Sequence, residues 1–152
     1  MSADSRTSEC EPFRVKLAER VERWLASEEA RRTPGAPLYR HLPDLFCFLA
    51  RLALDERVPE RDRAAVRSAV KYVVAPLDLI PEGIVGTVGF RDDLVLASFV
   101  VERMVGHLDP RLVEENWQCP GHPAHVARAV LDAAPLMVEA ETWERLRGWV
   151  PS

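Results

Sequence analysis

The most constraining feature of this sequence is the segment from Tyr72 to Asp93, YVVAPLDLIPEGIVGTVGFRDD. It places two prolines, three glycines and four carboxylates in surroundings apolar enough to be buried. Proline lacks a backbone N–H and clashes with the preceding helical turn, so Pro76 predicts that a helix ends before it. The segment therefore predicts a loop that connects two packed helices.

The same segment is apolar enough to suggest a membrane span, but its polar residues oppose that interpretation. Asp78 and Glu82 would lie in the middle of the span, where a carboxylate costs ~2.5–3.5 kcal/mol on insertion scales. Pro76 and Pro81 would interrupt the helix as well. We therefore reject a membrane-spanning helix here.

The bulk composition favours a single helical domain. The chain has 152 residues, of which 47% are hydrophobic and 29% charged, and this length suits one buried core. Alanine, leucine, arginine and glutamate are abundant and strand-like alternation is rare, which favours helix over sheet. We expect an all-α fold, a single compact domain of about five to seven helices with a central helix-loop-helix.

The charge and the cysteine content indicate the cellular compartment and the class of partner. The formal net charge is -4, and residues 92–152 carry 10 acidic but only 5 basic side chains. Because nucleic-acid binders usually present a basic surface, we predict no nucleic-acid partner. The three cysteines are odd in number and far apart, which argues against a disulfide framework and favours the cytoplasm.

Helix boundaries follow from the hydrophobic spacing and the prolines. We predict a first helix from about residue 12 to 25, a second from Pro43, a third from Pro59 to Val74 and a fourth capped by Asp92. A short helix follows Pro110, and Pro135 separates two more, the last of which carries Trp143, Leu146 and Trp149. The fourth helix is apolar on nearly every side, which is typical of a central helix.

Several of these residues resemble the pattern of the YkvA-like family, a bacterial domain of unknown function. The matching residues of the connection are Tyr72, Pro76, Asp78, Leu79, Ile80, Pro81, Glu82, Gly89, Asp92 and Asp93. Asp55-Glu56-Arg57-Val58-Pro59 upstream and Glu114-Glu115-Asn116-Trp117 downstream are also similar. Ala75 and Glu82 depart from the family's usual Ser and Asp. The resemblance implies a small helical domain without an established reaction, so no catalytic residue or cofactor is carried over.

This resemblance also suggests how the chain is organised. We expect a flexible N-terminus over residues 1–11 and an N-terminal helix with a linker over 12–37. The YkvA-like core would cover residues 38–117, and residues 118–152 would form a helical extension packed on that core.

Four carboxylates flank the predicted connection, namely Asp78, Glu82, Asp92 and Asp93. If the chain return brings them together, their oxygens suit Mg²⁺ or Ca²⁺. The alternative is that each acid acts locally, with Asp92 as the cap of the fourth helix and Asp93 near its dipole.

A second candidate metal site is the run of Cys119, His122 and His125, whose ligand types suit a transition metal. A fourth ligand would have to come from elsewhere, and Pro120 and Pro123 favour a simple turn. Both interpretations remain open at the level of sequence.

Two sets of residues are candidates for an interaction surface. Arg63, Arg67 and Lys71 share a helix face that suits anionic lipid or an acidic partner, although Glu60 and Asp62 also suit a solvated face. The apolar residues of the connection form the other set, Leu79, Ile80, Ile84, Val85 and Phe90, and are either core or contact surface.

The sequence contains no recognisable catalytic motif. We therefore expect a non-enzymatic helical interaction or scaffold module with an unknown protein partner and no cofactor. One alternative is peripheral membrane association through the connection and the basic face. Another is a divalent-cation-dependent enzyme built on the four carboxylates.

Overall fold

A computed structural model describes the backbone of residues 3–79 and 87–137, and the side chains of residue 12, residues 14–70 and residues 94–134. The elements in chain order are α1 (Ala3–Leu25), α2 (Glu28–Arg31), a 3₁₀ helix (Ala36–His41), α3 (Leu42–Leu54), α4 (Glu60–Leu79), α5 (Thr87–His107), α6 (Pro110–Asn116) and α7 (Pro123–Met137). These ranges contain no strand. The expected all-α class is confirmed.

Local signals set several of the helix starts. The Ser27 hydroxyl caps α2 by accepting a hydrogen bond from the backbone N–H of Ala30 at 3.2 Å. Proline occupies the first turn of α3 and of α6, where its missing N–H costs nothing. Between α2 and the 3₁₀ helix the chain reverses at Gly35, whose φ of 74° lies in the left-handed region that glycine adopts most readily. The predicted starts near Pro43, Pro59 and Pro110 are confirmed.

The core is organised around α5, which packs against α3, α4 and α7. Its residues 94–98 are all buried, as are Val100, Val101 and Met104, so the helix is covered on all sides along this stretch. Each large aliphatic side chain buried in this way contributes about 1.5–3 kcal/mol. The prediction of a central, enclosed fourth helix is confirmed.

The N-terminal part of the chain covers one side of this core. Helix α1 packs against α3 and the 3₁₀ helix through Leu17, Val21 and Trp24. The Trp24 ring stacks on Tyr39 of the 3₁₀ helix, with centroids 4.7 Å apart. The first helix is longer than predicted, because it begins at Ala3 and contains Pro12.

Two predicted helix ends at prolines are wrong. Helix α4 continues through Pro76 to Leu79, and α7 continues through Pro135 to Met137. An interior proline removes one hydrogen bond and costs about 3 kcal/mol. Packing of α4 on α3 and α5, and of α7 on α5, is extensive enough to outweigh that local cost.

The predicted capping role of Asp92 is also wrong. Helix α5 begins at Thr87, so Asp92 and Asp93 lie within the helix rather than at its start. Inside a helix, each backbone N–H bonds to a carbonyl oxygen of the preceding turn. No N–H group near Asp92 therefore needs a capping side chain. The helix therefore begins more than a turn before the expected start.

Residues 138–152, which include Trp143, Leu146 and Trp149 of the predicted last helix, lie outside the described part of the chain. Within the described part, no helix combines the length and the apolar character that crossing a bilayer requires.

Candidate functional site

A cluster of polar side chains joins the end of α3 to α6, and its centre is the buried carboxylate of Asp55. Asp55 Oδ1 accepts hydrogen bonds from the backbone N–H and the Nε of Arg57, both at 3.0 Å. Its Oδ2 accepts from Arg57 Nη2 at 2.7 Å and from Asn116 Nδ2 at 3.0 Å. The third guanidinium nitrogen, Arg57 Nη1, pairs with Glu115 Oε2 at 2.5 Å. All three nitrogens of Arg57 are therefore engaged.

Next to the Asp55–Arg57 pair lie two buried polar side chains, Arg51 and Asn116. Arg51 Nη1 donates to the carbonyl oxygen of Asn116 at 3.2 Å, and Asn116 Nδ2 also donates to the carbonyl oxygen of Leu112 at 2.8 Å. The bonds of Asn116 with Arg51 and with Asp55 join residues more than 60 positions apart in the chain. The bonds of Asn116 therefore hold α6 against the end of α3.

The electrostatics of the cluster follow from these contacts. The bidentate hydrogen bonds from the Arg57 guanidinium hold the pKa of Asp55 well below its usual range, although burial opposes this effect. Asn116 lowers the pKa of Asp55 further. The same bonds, together with those from Glu115, raise the pKa of Arg57. The pair is therefore ionised in the folded protein at neutral pH.

A surface cleft of about 460 Å³ opens beside this cluster, between the start of α4, the end of α5 and α6. Its apolar floor consists of Leu108 and Leu112, with Pro59 at one wall. The charged lining residues are Arg57, Asp62, His107, Asp109, Arg111 and Glu115. It is therefore an apolar hollow with a rim of both charge signs.

Asp62 and His107 close one end of the cleft by connecting α4 to α5. Their side chains meet at 2.8 Å between Asp62 Oδ1 and His107 Nε2, and His107 Nδ1 lies 2.9 Å from the carbonyl oxygen of Arg103. A ring nitrogen that faces a carboxylate or carbonyl oxygen bonds to it by donating its proton. Both ring nitrogens of His107 thus face protein oxygens, and the cleft lining contains no serine, threonine or cysteine nucleophile.

Sequence reasoning missed this cluster as a site, although it singled out both of its segments. Asp55 to Pro59 and Glu114 to Trp117 were noted for their family resemblance, and the structure brings them together through the Asp55 and Arg57 bonds. The available signal was an Asp-x-Arg spacing at a helix end, which permits a local ion pair. Nothing in the sequence specified that Asn116 would also donate a hydrogen bond to Asp55.

The predicted basic face of α4 is paired within the helix. Arg63 Nη2 lies 2.8 Å from Glu60 Oε2, and Arg67 Nη2 lies 2.6 Å from Glu60 Oε1. Hydrogen bonding from Arg67 also lowers the pKa of Glu60. Lys71 belongs to the same helix, but its side chain lies outside the described residues. This arrangement favours a solvated face at Arg63 and Arg67 whose charge is partly neutralised by Glu60.

The other residues of the predicted connection fall largely outside the description. Ile80, Glu82, Ile84 and Val85 lie in the segment that the structure leaves out. The side chains of Asp78, Leu79, Phe90, Asp92 and Asp93 are not described either, although their helices are. The proposed carboxylate metal site and the apolar contact surface therefore remain predictions.

The residues of the Cys119, His122 and His125 run are described: Cys119 and His122 lie in the segment before α7, and His125 lies in the first turn of that helix. The rings of His122 and His125 are 5.6 Å apart, and His122 Nδ1 accepts a hydrogen bond from the backbone N–H of Ala124 at 3.1 Å. Cys119 instead contacts Asp44, and burial together with that carboxylate raises the pKa of the thiol to about 11. Among the described residues, no three Cys, His, Asp or Glu side chains are grouped so as to hold a metal ion.

Comparison with known proteins places similarity on the α4–α5 pair. Residues 62–99 match a family described as Protein of unknown function (DUF1232). The chain is also 36% identical over 78 residues to Uncharacterized protein ORF9 of Methanothermobacter thermautotrophicus, an alignment that covers 51% of this chain and 53% of that protein. The chain thus spans about half the length of this relative. No solved structure gives a significant match. These findings support similarity to a family of unknown function. The family match begins at Asp62 in α4 and ends in the buried part of α5.

Proposed function

We propose that this protein is a non-enzymatic helical module of the YkvA-like kind that acts in the cytoplasm through contacts with a partner protein, without a cofactor or a nucleic acid. The observation that carries the proposal is the intramolecular bonding of the side chains that line the cleft, together with their residue types. All three guanidinium nitrogens of Arg57 are engaged in intramolecular bonds, both ring nitrogens of His107 face protein oxygens, and the lining offers no serine, threonine or cysteine nucleophile. Such a cluster stabilises a surface rather than supplying a general base.

The contact surface that we propose is the connection between α4 and α5 together with the adjoining helix ends, through Leu79, Ile80, Ile84, Val85 and Phe90. Elsewhere, among the described side chains, the large exposed hydrophobic residues are only Val15 and Leu54. Single exposed apolar residues of this kind are ordinary on a protein surface. A contiguous apolar set is therefore expected at the connection rather than on the described surface.

The test uses the full-length chain as bait and compares it with Ile84→Asp. A partner that is captured, identified and then bound again as a purified protein should lose at least about tenfold in affinity for the variant, because an aspartate in an apolar contact must be desolvated. Leu54→Asp is the matched control, since Leu54 is apolar and 37% exposed on another helix. Equal binding by Ile84→Asp and the unchanged chain contradicts this surface. Turnover of a substrate at enzyme-like rates by the purified chain contradicts the non-enzymatic function.

The membrane alternative predicts binding of the purified chain to anionic vesicles in a flotation assay. The pairing of Arg63 and Arg67 with Glu60 weakens the attraction of that face for anionic lipid, so we expect little binding there. Binding that depends on anionic lipid and disappears when Arg63, Arg67 and Lys71 are all replaced by glutamine would favour the alternative.

The enzyme alternative requires a divalent cation at Asp78, Glu82, Asp92 and Asp93. Calorimetric titration with Mg²⁺, Ca²⁺, Mn²⁺ and Zn²⁺ addresses it directly. We expect no saturable heat. A saturable heat that is lost in Asp92→Asn would replace our proposal with a cation-dependent function.

A further inference from the structure

Arg20, in the middle of α1, is the most unusually placed charged side chain among the described residues. Only 5% of its surface is exposed, and it shares the inward face of α1 with Leu17, Val21 and Trp24. Its Nε and Nη1 are enclosed and donate to no acceptor. Unlike Arg51, which reaches a backbone carbonyl, Arg20 has no acceptor for these enclosed donors.

The guanidinium group keeps its proton under all physiological conditions, so burial does not neutralise it. A buried charge without a counter-charge or hydrogen-bond acceptors is strongly unfavourable. Water would satisfy the donors but would leave the charge uncompensated. An anion satisfies both requirements.

Among the described residues, the carboxylates that link α1 to the elements packed on it pair with other cations. Glu22 of α1 pairs with Arg40 of the 3₁₀ helix at 2.8 Å. Asp44 of α3 pairs with Arg14 of α1 at 3.3 Å. Both pairs fasten α1 to the elements that it packs against, and neither leaves a carboxylate for Arg20.

A second enclosed donor lies one helical turn further along the same face. The indole nitrogen of Trp24 is buried and has no hydrogen-bond partner. Residues four positions apart on a helix are neighbours on its surface. The stacking of the Trp24 ring on Tyr39 holds the indole plane in place. Arg20 and Trp24 thus present a charged and a neutral donor without acceptors, side by side.

We propose that Arg20 and Trp24 form a binding site for a carboxylate. A planar carboxylate matches the fork of donors on a guanidinium group and can accept from the indole N–H as well. The small remaining exposure of Arg20 favours a compact anion over a bulky, strongly hydrated one such as phosphate. This inference is independent of the proposed partner surface at the α4–α5 connection, because the residues belong to a different helix.

The first experiment measures the melting temperature of the full chain in sodium acetate and in sodium chloride at equal ionic strength. At acetate concentrations about tenfold above the dissociation constant, ligand linkage predicts a rise of about 3–6 °C beyond the chloride value. Because acetate also stabilises proteins non-specifically, the comparison is repeated with Arg20→Met. This variant should lose the specific rise and, in chloride, should melt no lower than the unchanged chain.

Two further variants keep the test decisive. Arg23→Met removes an exposed cation from the same helix and should retain the full acetate response. Trp24→Phe preserves an aromatic ring but removes the N–H, and should reduce the response even if Arg20→Met fails to fold. An acetate response of equal size in Trp24→Phe and Arg23→Met would overturn the proposal. So would an Arg20→Met protein that melts lower in chloride yet keeps the acetate response, since that pattern indicates a purely structural arginine.

The source of the carboxylate is distinguished by a second titration with a terminally blocked peptide that contains one glutamate. Stabilisation by acetate alone supports a site for a free carboxylic acid. Stabilisation by both, lost in Arg20→Met, supports a site that also accepts the acidic side chain of a partner. Stabilisation by neither excludes the site.

Discussion

Asp55 is a buried carboxylate with two oxygen atoms that receive hydrogen bonds from four donors. Burial alone would favour its neutral form, but the Arg57 guanidinium group and the Asn116 amide stabilise the charged form more strongly. The cost of desolvating this acid is therefore offset within three short chain segments. Its position at the end of α3 converts that local balance into a link with α6.

Asp55→Asn tests this link at constant side-chain size. One oxygen becomes an NH₂ group that faces the donors of Arg57 or Asn116, so at least one buried hydrogen bond is lost and Arg57 keeps only Glu115 as a charged partner. We expect the free energy of unfolding to fall by about 1–3 kcal/mol, measured by chemical denaturation. Glu56→Gln, at an exposed neighbouring position, should change it by less than about 0.5 kcal/mol. Equal effects of the two substitutions would contradict the role of Asp55.

The lowered pKa of Asp55 also predicts how stability depends on pH. In the unfolded chain an aspartate has a pKa of about 3.9, so above that value both states are ionised and the full contribution is present. As the pH falls below it, the unfolded state binds a proton that the folded state does not, and stability decreases until the folded pKa is reached. The unchanged chain should therefore lose more stability between pH 6 and pH 3 than Asp55→Asn does. Parallel losses in both proteins would contradict this prediction.

At the residue scale, the sequence identified individual residue types better than their partners. Asp55, Arg57 and Glu115 were visible as parts of two similar segments, but their contact depends on how α6 packs on α3. The solvated interpretation of Arg63 and Arg67 required only neighbours on one helix, Glu60 among them, and the structure agrees with it. Contacts within one helix follow from spacing, whereas contacts between helices follow from packing that no local pattern specifies.

At the element scale, the side chains of Asp62 and His107 join the start of α4 to the end of α5. Asp62 also begins the segment that matches the family of unknown function. A double-mutant cycle with Asp62→Asn and His107→Gln should give a coupling energy of about 0.5–1 kcal/mol, because the pair is partly exposed to solvent. The control cycle pairs Asp62→Asn with Arg111→Gln, which lines the same cleft without bonding to Asp62. A coupling energy no larger than that of the control would mean that the pair does not connect the helices.

The prolines explain why helix existence was predicted better than helix length. Pro43, Pro59 and Pro110 lie at or just before helix starts, where proline is compatible with the first turn, and those starts were predicted. Pro12, Pro76 and Pro135 lie inside helices, where local preference is overridden by packing. The local cost of each proline can be predicted from the sequence, but the burial that offsets this cost cannot.

Pro12→Ala should therefore stabilise the protein. The substitution restores a hydrogen bond in α1 and removes a clash worth about 3 kcal/mol, while the greater freedom of the unfolded chain returns about 1 kcal/mol. We expect the free energy of unfolding to rise by about 1–2 kcal/mol, with a matching gain in the helical circular dichroism signal. Val15→Ala, at an exposed position of the same helix, should have a much smaller effect. A decrease in stability would show that the turn at Pro12 requires the proline.

At the scale of the whole molecule, α5 makes one core of the described helices. It packs directly on α3, α4 and α7, and α1 reaches the same core through α3. The buried hydrophobic residues form a continuous cluster from Leu17 to Ala134. A chain of this size with one such cluster should not contain parts that unfold separately.

We therefore predict a single cooperative unfolding transition in denaturant. Circular dichroism, which reports on all helices, and tryptophan fluorescence, which reports on all four tryptophans, Trp24 in α1 and Trp117 beyond α6 among them, should give coincident midpoints. Leu96→Ala, at a fully buried position of α5, should lower the free energy of unfolding by about 2–5 kcal/mol and shift both signals together. A fluorescence midpoint at lower denaturant concentration than the dichroism midpoint, absent in Trp24→Phe, would mean that α1 separates before the core does. In that case the donors of Arg20 and Trp24 would be exposed by a local opening rather than by global unfolding.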